Sequence, residues 1–523
     1  MAQQSNNQQP SERRRILIHG IDRHERLKIL LAEIDRRQQQ DTKLFRKEGK
    51  AACVVSSGGK IELQHLSARD LRTYLEQEAT FEKRKKVQDD FVTVPYDLPL
   101  ELCESLLSHL KLSPRLPQLE RILRSPVFDK EGQLCVRNGY HKGLGAWVQL
   151  DFELPATNPK PTRKQANRAL EIIEKEFLGD FPFVGKASKA HAIALGLLPF
   201  VRPMIEGTTP LHLVTAPIPR TGKTKLVISL ALGTTGVAPT MCPPSSDGEE
   251  WRKQITSALL KHPQLVLIDN LPTDKRTDNS YLASVLTLDR WEARTLGTSV
   301  NVNLPNDTAW AATGNNPSMT SELVDRSAWI QLDPKVPDPS QRTGFKHERI
   351  EKWAKDNRSK LCWAFTTLVQ NWIANGQPAF TQQRLGGFES WSQIVGGILD
   401  VAGIEGFLQN HKRLKDRSDG ESNEWKQFVS AWWSEFSTRP VGVAEVFSLC
   451  EANDLLDQVR GSGTDRSQRI RLGRALPTQL ERVFDIGTQN EPLMLRIERL
   501  GVNNYTNSRL YKVVTAKNGF KQT

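Results

Sequence analysis

The chain has few cysteines and no long apolar run, and each absence argues against a class of protein. Its six cysteines are scattered and form no Cys-x-x-Cys pair. This argues against zinc sites and disulfides, and it favours a reducing, cytoplasmic location. No apolar segment approaches the roughly 20 residues that a membrane helix needs, so we expect a soluble protein without membrane contact.

The amino-terminal end also lacks the apolar core of a signal peptide. Residues 1–12 open with a Gln- and Asn-rich stretch, which predicts a disordered tail. A chain of 523 residues, 38% hydrophobic and 25% charged, is too long for one core and predicts two to four globular domains. The net charge of +12 favours a polyanionic partner such as nucleic acid, although an unspecialised basic surface is also compatible with it.

Composition shifts divide the chain into three regions joined by two linkers. We expect an α+β accessory domain over 13–154 and a proline-rich linker over 155–161. An α/β core with a helical lid should follow over 162–410, and a charged linker over 411–423. The last region, 424–523, has helices followed by a hairpin pattern, which is the order of a winged helix.

Periodicity gives a coarse secondary structure for the accessory region. Apolar spacing predicts a helix from Asp22 to about Gln39, and strand-like pieces over 52–55 and 61–63. A further helix is expected from Ser67 to Val87. It would end in the basic run 83–86, which either touches phosphate or is a solvated helix end.

The middle region alternates strand and helix signals, which predicts a five-stranded parallel sheet with helical crossovers. Beyond Pro339 the pattern becomes helical, as expected for a lid packed on that sheet. The predicted strands are 211–215, 237–241, 265–268, 308–313 and 328–332, and the predicted helices are 223–232, 249–261, 281–291, 321–326, 346–355 and 358–374.

The third region begins with helical patterns over 424–436 and 443–456. An Arg-rich segment follows and merges into a predicted helix that continues through Val483. The end, from Leu493 to Val514, alternates like a hairpin and is interrupted at Gly501.

A phosphate-binding loop is predicted between the first strand and the first helix of the core. Backbone N–H groups at a helix N-terminus bind phosphate, a lysine reaches the β and γ oxygens, and a hydroxyl ligates Mg²⁺. Lys223 and Thr224 supply the last two, while Pro217 stands where the usual first glycine would be. The predicted loop consists of Pro217, Ile218, Pro219, Arg220, Thr221, Gly222, Lys223, Thr224 and Lys225.

A buried apolar strand ending in Asp269 follows at a suitable distance. Ligands of parallel sheets bind at the carboxyl ends of the strands, so Asp269 can hold the metal with Thr224. The next residue is Asn270, an amide that cannot accept a proton from water. We therefore consider Glu249 and Glu250 as catalytic bases, although acidic residues are also common in the first turn of a helix.

Two later pieces complete the predicted site. Asn315 and Asn316 end a strand and could orient the attacking water, although Asn316-Pro317 is also an ordinary turn. Arg326 precedes the last strand, where it could reach the γ-phosphate of a neighbouring subunit or simply end a helix.

Four motifs have been described in order: the phosphate loop, the strand ending in Asp269, the strand end at Asn315 and Asn316, and Arg326. This order resembles that of AAA+ ATPases, and more narrowly that of the MCM-like and primase-associated (superfamily III-like) helicases of phages, plasmids and other mobile elements. The resemblance covers 162–410 and also includes Arg342, Phe345 and His347, followed by 388–391 and 396–399. It implies ATP and Mg²⁺ as cofactors, a hexameric ring, and a DNA-contacting hairpin over 293–304. The tip of that hairpin, 297–299, carries no lysine or arginine, so only Arg294 is basic there.

The segment from Arg460 to Arg474 carries five arginines and one acid, which suits the recognition helix of a winged helix but also a solvated basic loop. The leading hypothesis is an ATP-driven DNA helicase of a phage or mobile element, acting on single-stranded or forked DNA with a possible primase partner. The alternatives are a non-unwinding AAA+ initiator or loader, and a site-specific DNA-binding protein whose ATP only stabilises an oligomer. The candidate DNA contacts are Arg294, Arg466, Arg469, Arg471 and Arg474.

Overall fold

A computed structural model describes residues 13–516, except 19–21, 48, 58–59, 78, 88–89, 113, 274–276, 295–300, 419, 481, 488–492 and 503–508. The chain forms two compact units, Met1–His411 and Lys412–Thr523. The predicted tail and the predicted hairpin tip lie outside the described residues. Within the described part, no helix is long and apolar enough to cross a membrane.

The accessory region combines small sheets with three helices. One sheet has the order β1-β5-β6, a second β2-β3-β4, and a third β10-β11-β7. The helices are α1 (Arg23–Gln40), α2 (Ala68–Glu76) and α3 (Leu100–Leu112). The strands are β1 (Arg14–Leu17), β2 (Leu44–Lys47), β3 (Lys50–Ser57), β4 (Lys60–His65), β5 (Ala79–Val87), β6 (Asp90–Pro95), β7 (Arg121–Leu123), β8 (Val127–Phe128), β9 (Leu134–Cys135), β10 (Gly139–His141) and β11 (Ala146–Val148).

The helix predicted from Ser67 to Val87 is wrong in its second half. Ser67 and Asp70 form a capping box that starts α2, which ends at Glu76. Over residues 79–82 the burial alternates with period two, because this segment is the start of β5, which pairs with β1 in parallel and with β6 antiparallel. The basic run 83–86 therefore lies on an exposed strand rather than at a helix end.

The core contains seven strands and nine α-helices within its described residues. The strands are β12 (Leu211–Ala216), β13 (Thr240–Met241), β14 (Leu265–Leu271), β15 (Arg290–Arg294), β16 (Asn301–Pro305), β17 (Ala309–Asn315) and β18 (Ser327–Gln331). The helices are α4 (Arg163–Glu171), α5 (Gly185–Val201), α6 (Lys223–Thr235), α7 (Gly248–Leu259), α8 (Ser280–Val285), α9 (Ser321–Asp325), α10 (Ile350–Asp356), α11 (Arg358–Ala374) and α12 (Glu389–Val401).

Five of these strands form one parallel sheet in the order β13-β14-β17-β12-β18, which confirms the predicted fold class. Helices cover both faces of such a sheet, so its strands are apolar on both sides. All of β12 and most of β14, β17 and β18 are buried accordingly. Strand β17 lies between β12 and β14, so the strand before the predicted loop and the Asp269 strand are not neighbours.

The helix predicted over 281–291 is also too long. Helix α8 ends at Val285, and Arg290 begins β15, in which exposed and buried residues alternate. Trp291 is buried, and its indole N–H donates to the Thr256 hydroxyl at 2.9 Å. The strand forms because β16 pairs with it antiparallel, a contact that the local sequence does not show.

Two glycines let the lid pack closely on the core. A Cβ at Gly196 in α5 would be 2.7 Å from the ring of Phe365, and one at Gly233 in α6 would be 2.7 Å from Leu361. Both partners belong to α11. Because α6 begins directly after the predicted phosphate loop, this packing fixes the lid helix against the helix that carries the loop.

The second unit has helices followed by strands, as predicted. The segment 411–423, expected to be a linker, is largely helical where it is described. The helix predicted through Val483 ends at Ala475, and Val483 begins a strand. The elements are α13 (His411–Ser418), which spans the boundary, α14 (Gly420–Phe436), β19 (Val441–Gly442), α15 (Val443–Ala452), α16 (Asp457–Arg460), α17 (Asp465–Ala475), β20 (Val483–Asp485), β21 (Met494–Val502) and β22 (Arg509–Thr515).

A buried histidine in β12 should make the free energy of unfolding depend on pH. His212 is fully buried with its ring edge-on to Trp391, and burial lowers its pKa from 6.5 to about 3. The neutral ring is favoured in the folded state, so its contribution to stability is present above pH 6.5 and is lost as the pH falls toward 3.

We expect the free energy of unfolding of the wild type to fall more steeply with acid than that of His212→Phe. Over two pH units below 6.5, the wild type should lose roughly 2 to 3 kcal/mol more than the variant, because one pH unit between the two pKa values corresponds to about 1.36 kcal/mol. Urea unfolding at several pH values measures it. Parallel curves for the two proteins would show that His212 is not held neutral.

Candidate functional site

The predicted phosphate loop connects the carboxyl end of β12 to the start of α6. Its backbone turns through two left-handed residues, Arg220 (φ 61°) and Gly222 (φ 94°), before α6 begins at Lys223. Glycine adopts this conformation without strain, which explains why one glycine remains in the loop. The turn brings the free N–H groups of the first turn of α6 to the carboxyl edge of the sheet, where an anion is stabilised.

Lys223 is buried at the base of the loop. Only 8% of the residue is exposed, and its Nζ donates to Oδ1 of Asn315 at 2.6 Å. Burial lowers the pKa of the Lys223 ammonium, and the charge of Asp269 acts in the opposite direction. A phosphate at this place would add a second negative charge beside a partly desolvated cation, which favours binding.

Asp269 is held by two threonine hydroxyls. Thr224 Oγ1 donates to Asp269 Oδ1 at 2.8 Å, and Thr313 Oγ1 donates to the same oxygen at 2.6 Å. The Thr224 hydroxyl and the Asp269 carboxylate are thus adjacent oxygen ligands of the kind that Mg²⁺ prefers. Thr224 and Asp269 therefore fit the Mg²⁺ that the sequence implied. The Thr313 hydroxyl fixes the orientation of the Asp269 carboxylate through its hydrogen bond.

Asn270 has a conformational reason to be an amide. It is left-handed (φ 63°), and the register of β14 against β17 shifts between Ile268 and Leu271. Asparagine tolerates this conformation better than longer side chains do. Its backbone N–H donates to Thr313 Oγ1 at 2.9 Å, so the irregular strand end also supports the residue that holds Asp269.

The two candidate bases lie in the first turn of α7, which Asp247 caps. Glu249 accepts hydrogen bonds from the Tyr281 hydroxyl at 2.8 Å and from Arg252, and the first of these contributes most to lowering its pKa. Glu250 instead accepts from Gln254 at 3.1 Å and pairs with Lys253 at 3.4 Å. Glu249 is thus held by shorter hydrogen bonds than Glu250, which leaves Glu250 as the less engaged candidate of the two.

The remaining predicted residues differ in their position. Asn315 ends β17 beside Lys223, whereas Asn316 (φ 50°) makes the turn before Pro317. Arg326 lies at the opposite edge of the sheet, because it directly precedes the first residue of β18, Ser327, which pairs with the start of β12. Its guanidinium donates to the Ala283 carbonyl at 2.5 Å and pairs with Glu322.

A cavity of about 470 Å³ opens between the loop and the segment leading into the lid. His347 stacks on Trp353 with ring centroids 4.1 Å apart, and Arg342 lies over Phe345. Arg342, Phe345 and His347 line the cavity together with Phe181 and the loop. Analysis of the sequence did not assign them to the site, although the clustering of aromatic and basic residues after Pro339 was a usable signal.

The candidate DNA contacts fall into two groups. In the first unit, Arg294 is exposed on β15, and the tip that follows lies outside the described residues. In the second unit, Arg466 and Arg474 are exposed on α17, and Arg469 lies over the Phe447 ring at 4.9 Å. Arg471 donates to the Ser462 carbonyl at 2.6 Å, so it also stabilises the loop before its helix.

Comparison with known proteins found no matching family model and no matching curated protein. Two solved structures are similar over most of their length. The C-terminal region of NrS-1 in its apo A form shares 10% identity at a TM-score of 0.39, covering 93% of this chain and 98% of that one. The SCCmec type IV Cch active helicase shares 11% identity at a TM-score of 0.37, covering 90% and 92%. At such low TM-scores the likeness assigns neither a fold nor an activity.

The support of Asp269 by Thr313 can be tested by substitution. Thr313→Val removes the hydroxyl that donates to Asp269 and accepts from the Asn270 N–H. We expect the Mg²⁺ concentration that half-saturates binding of a fluorescent ATP analogue to rise about tenfold, as is typical for a residue that orients a metal ligand. Thr308→Val is the matched control, because Thr308 is also buried and bonds only the Pro263 carbonyl at the other end of β17. Equal metal requirements in the two variants would contradict the assignment.

Proposed function

We propose that this chain is an AAA+ ATPase that works on DNA as a ring-shaped helicase or translocase of a phage or mobile element. The observation that carries the proposal is the convergence of Lys223, Thr224, Asp269 and Asn315 at one edge of the parallel sheet. These residues come from three elements, and no role in packing requires their polar ends to meet there. A site of this composition fits a nucleoside triphosphate with its metal.

Each residue has a distinct role in this proposal. The loop N–H groups and Lys223 bind the phosphates, and Thr224 and Asp269 hold Mg²⁺, which neutralises phosphate charge when bound. Asn315 lies beside Lys223, where its amide can orient the attacking water. The cavity between the loop and Phe345 and His347 would receive the base and the ribose.

Proton removal from the water needs a group other than Asn270. We assign it to Glu250, whose carboxylate keeps weaker partners than that of Glu249. Glu250→Gln should retain ATP binding and lose most hydrolysis, since general-base catalysis contributes about 10²- to 10⁴-fold.

Arg326 cannot reach the nucleotide site of its own chain. Leu211 pairs with Ser327, so Arg326 lies about 17 Å along β12 from the loop, at about 3.3 Å per residue. An arginine at that edge is free to serve a neighbouring subunit if it leaves its contacts with Ala283 and Glu322. This arrangement favours hydrolysis at subunit interfaces, as an arginine finger supplied in trans.

One observation favours a second candidate function. The residue after Asp269 is an amide in a left-handed conformation, so hydrolysis lacks a carboxylate at the place closest to the metal. A protein of this kind could use ATP as an assembly switch for an initiator or loader on DNA without unwinding it.

Mixing two inactive variants tests the subunit interface. Lys223→Ala and Arg326→Ala should each lower the ATPase rate by about 100-fold or more. An equal mixture should recover activity at about one quarter of its interfaces, which combine the intact Lys223 of one chain with the intact Arg326 of the next. No recovery on mixing, in a sample shown to exchange subunits, would place Arg326 outside the active site.

Strand displacement separates the helicase from the switch. Wild-type protein with ATP and Mg²⁺ is expected to release the labelled strand of a forked duplex, and Lys223→Ala is expected to release none. Glu250→Gln should form the same DNA complexes as wild type and release strands slowly. If the wild type binds DNA in a nucleotide-dependent way and displaces no strand, the helicase proposal is wrong and the assembly switch is supported.

A further inference from the structure

A groove runs along the amino edge of the parallel sheet, on the side away from the phosphate loop. It consists of two cavities of about 480 and 600 Å³, which share Lys47 and His262 as lining residues. Both cavities lie within the first compact unit. We refer to the pair as the amino-edge groove.

The walls of the groove come from distant parts of the chain. The β2–β3 turn of the accessory region, with Lys47 and Lys50, forms one wall, and the β15–β16 hairpin, with Arg290 and Asn303, forms the other. The segment between α7 and β14 contributes 260–264. Arg290 is fixed on its wall by donating to the Asn303 carbonyl at 2.9 Å.

The lining is strongly basic. Five lysines and arginines line the larger cavity and four line the smaller one, with Lys47 common to both, against the single carboxylates Glu120 and Glu62. Arg121 pairs with Asp307, and Arg124 donates to the Ile61 carbonyl. The set of lining cations also includes Arg46, Lys47, Lys50, Lys111, Lys261 and Arg290.

We infer that the amino-edge groove binds a single strand of nucleic acid through its phosphates. The cations are spread along the groove and do not converge on one point, so they match a chain of phosphates better than one small anion. The side-chain amides of Gln118, Asn301 and Asn303 can bond sugars and base edges. Cavities of about 480 and 600 Å³ suit a few nucleotides of one strand better than the wider duplex.

This assignment rests on the proposed action on DNA and names where the strand binds. Arg294 is on the same exposed face of β15 as Arg290, so a nucleic-acid strand in the groove can continue along this face. The accessory region, whose role the sequence did not reveal, thereby supplies half of the binding surface. In this arrangement the nucleic-acid strand contacts the amino edge of the parallel sheet, and the nucleotide contacts its carboxyl edge.

The test neutralises two exposed lysines of the groove, Lys50 in β3 and Lys111 in α3. For Lys50→Gln/Lys111→Gln, we expect the Kd for a labelled oligothymidylate to rise about tenfold. The plot of log affinity against log salt should become flatter by about 1.4, since each phosphate contact on a single strand contributes about 0.7. Lys130→Gln/Lys164→Gln is the control, because both lysines are exposed and line neither cavity.

Fluorescence anisotropy of the full chain measures both quantities, and the ATPase rate without DNA is measured on the same samples. The groove variant should keep that rate. If the affinity and salt slope of the groove variant equal those of the control, the groove does not bind the oligonucleotide. If wild type binds a blunt duplex as tightly as the oligonucleotide, and the groove variant loses as much affinity for the duplex, the preference for a single strand is wrong. A wild type without ATPase activity that still binds the oligonucleotide through the groove would overturn the proposed function alone.

Discussion

The site depends on one oxygen of Asp269, which accepts hydrogen bonds from two threonines that are 89 residues apart in the sequence. Thr224 belongs to the helix after the phosphate loop, and Thr313 belongs to β17. The geometry is possible only because β17 pairs with both β12 and β14. A carboxylate held on both sides keeps one orientation before any ligand arrives, so binding does not have to order it.

Local patterns in the sequence predicted the parts of this site that lie within one segment. The strand, turn and helix around Lys223 were predictable because apolar runs and a glycine mark them, and the run 265–268 ending in Asp269 reads as a buried strand. The role of Thr313 was not predictable, because its partners are remote in the sequence. The same limit explains the errors: β5 is a strand because it pairs with β1, and Trp291 is in a strand because β16 pairs with it.

The parallel sheet separates two kinds of chemistry. Its carboxyl edge gathers the loop, Asp269 and Asn315, while its amino edge carries Arg326 and the amino-edge groove. A strand of five or six residues spans about 17 to 20 Å, so groups at the two edges influence each other only through the sheet or through another subunit. In a ring, such a sheet would transmit a change at a subunit interface to a nucleic-acid strand bound at its other edge.

The left-handed backbone at Asn270 has an evolutionary consequence. A glutamate substituted at position 270 would meet a backbone that costs it roughly 1 to 2 kcal/mol, and its side chain would start from a bulge and not from a regular strand. Removing the bulge first would withdraw the Asn270 N–H from Thr313 and loosen Asp269. Each single change is therefore unfavourable on its own, so a carboxylate at position 270 requires that the backbone and the side chain change together.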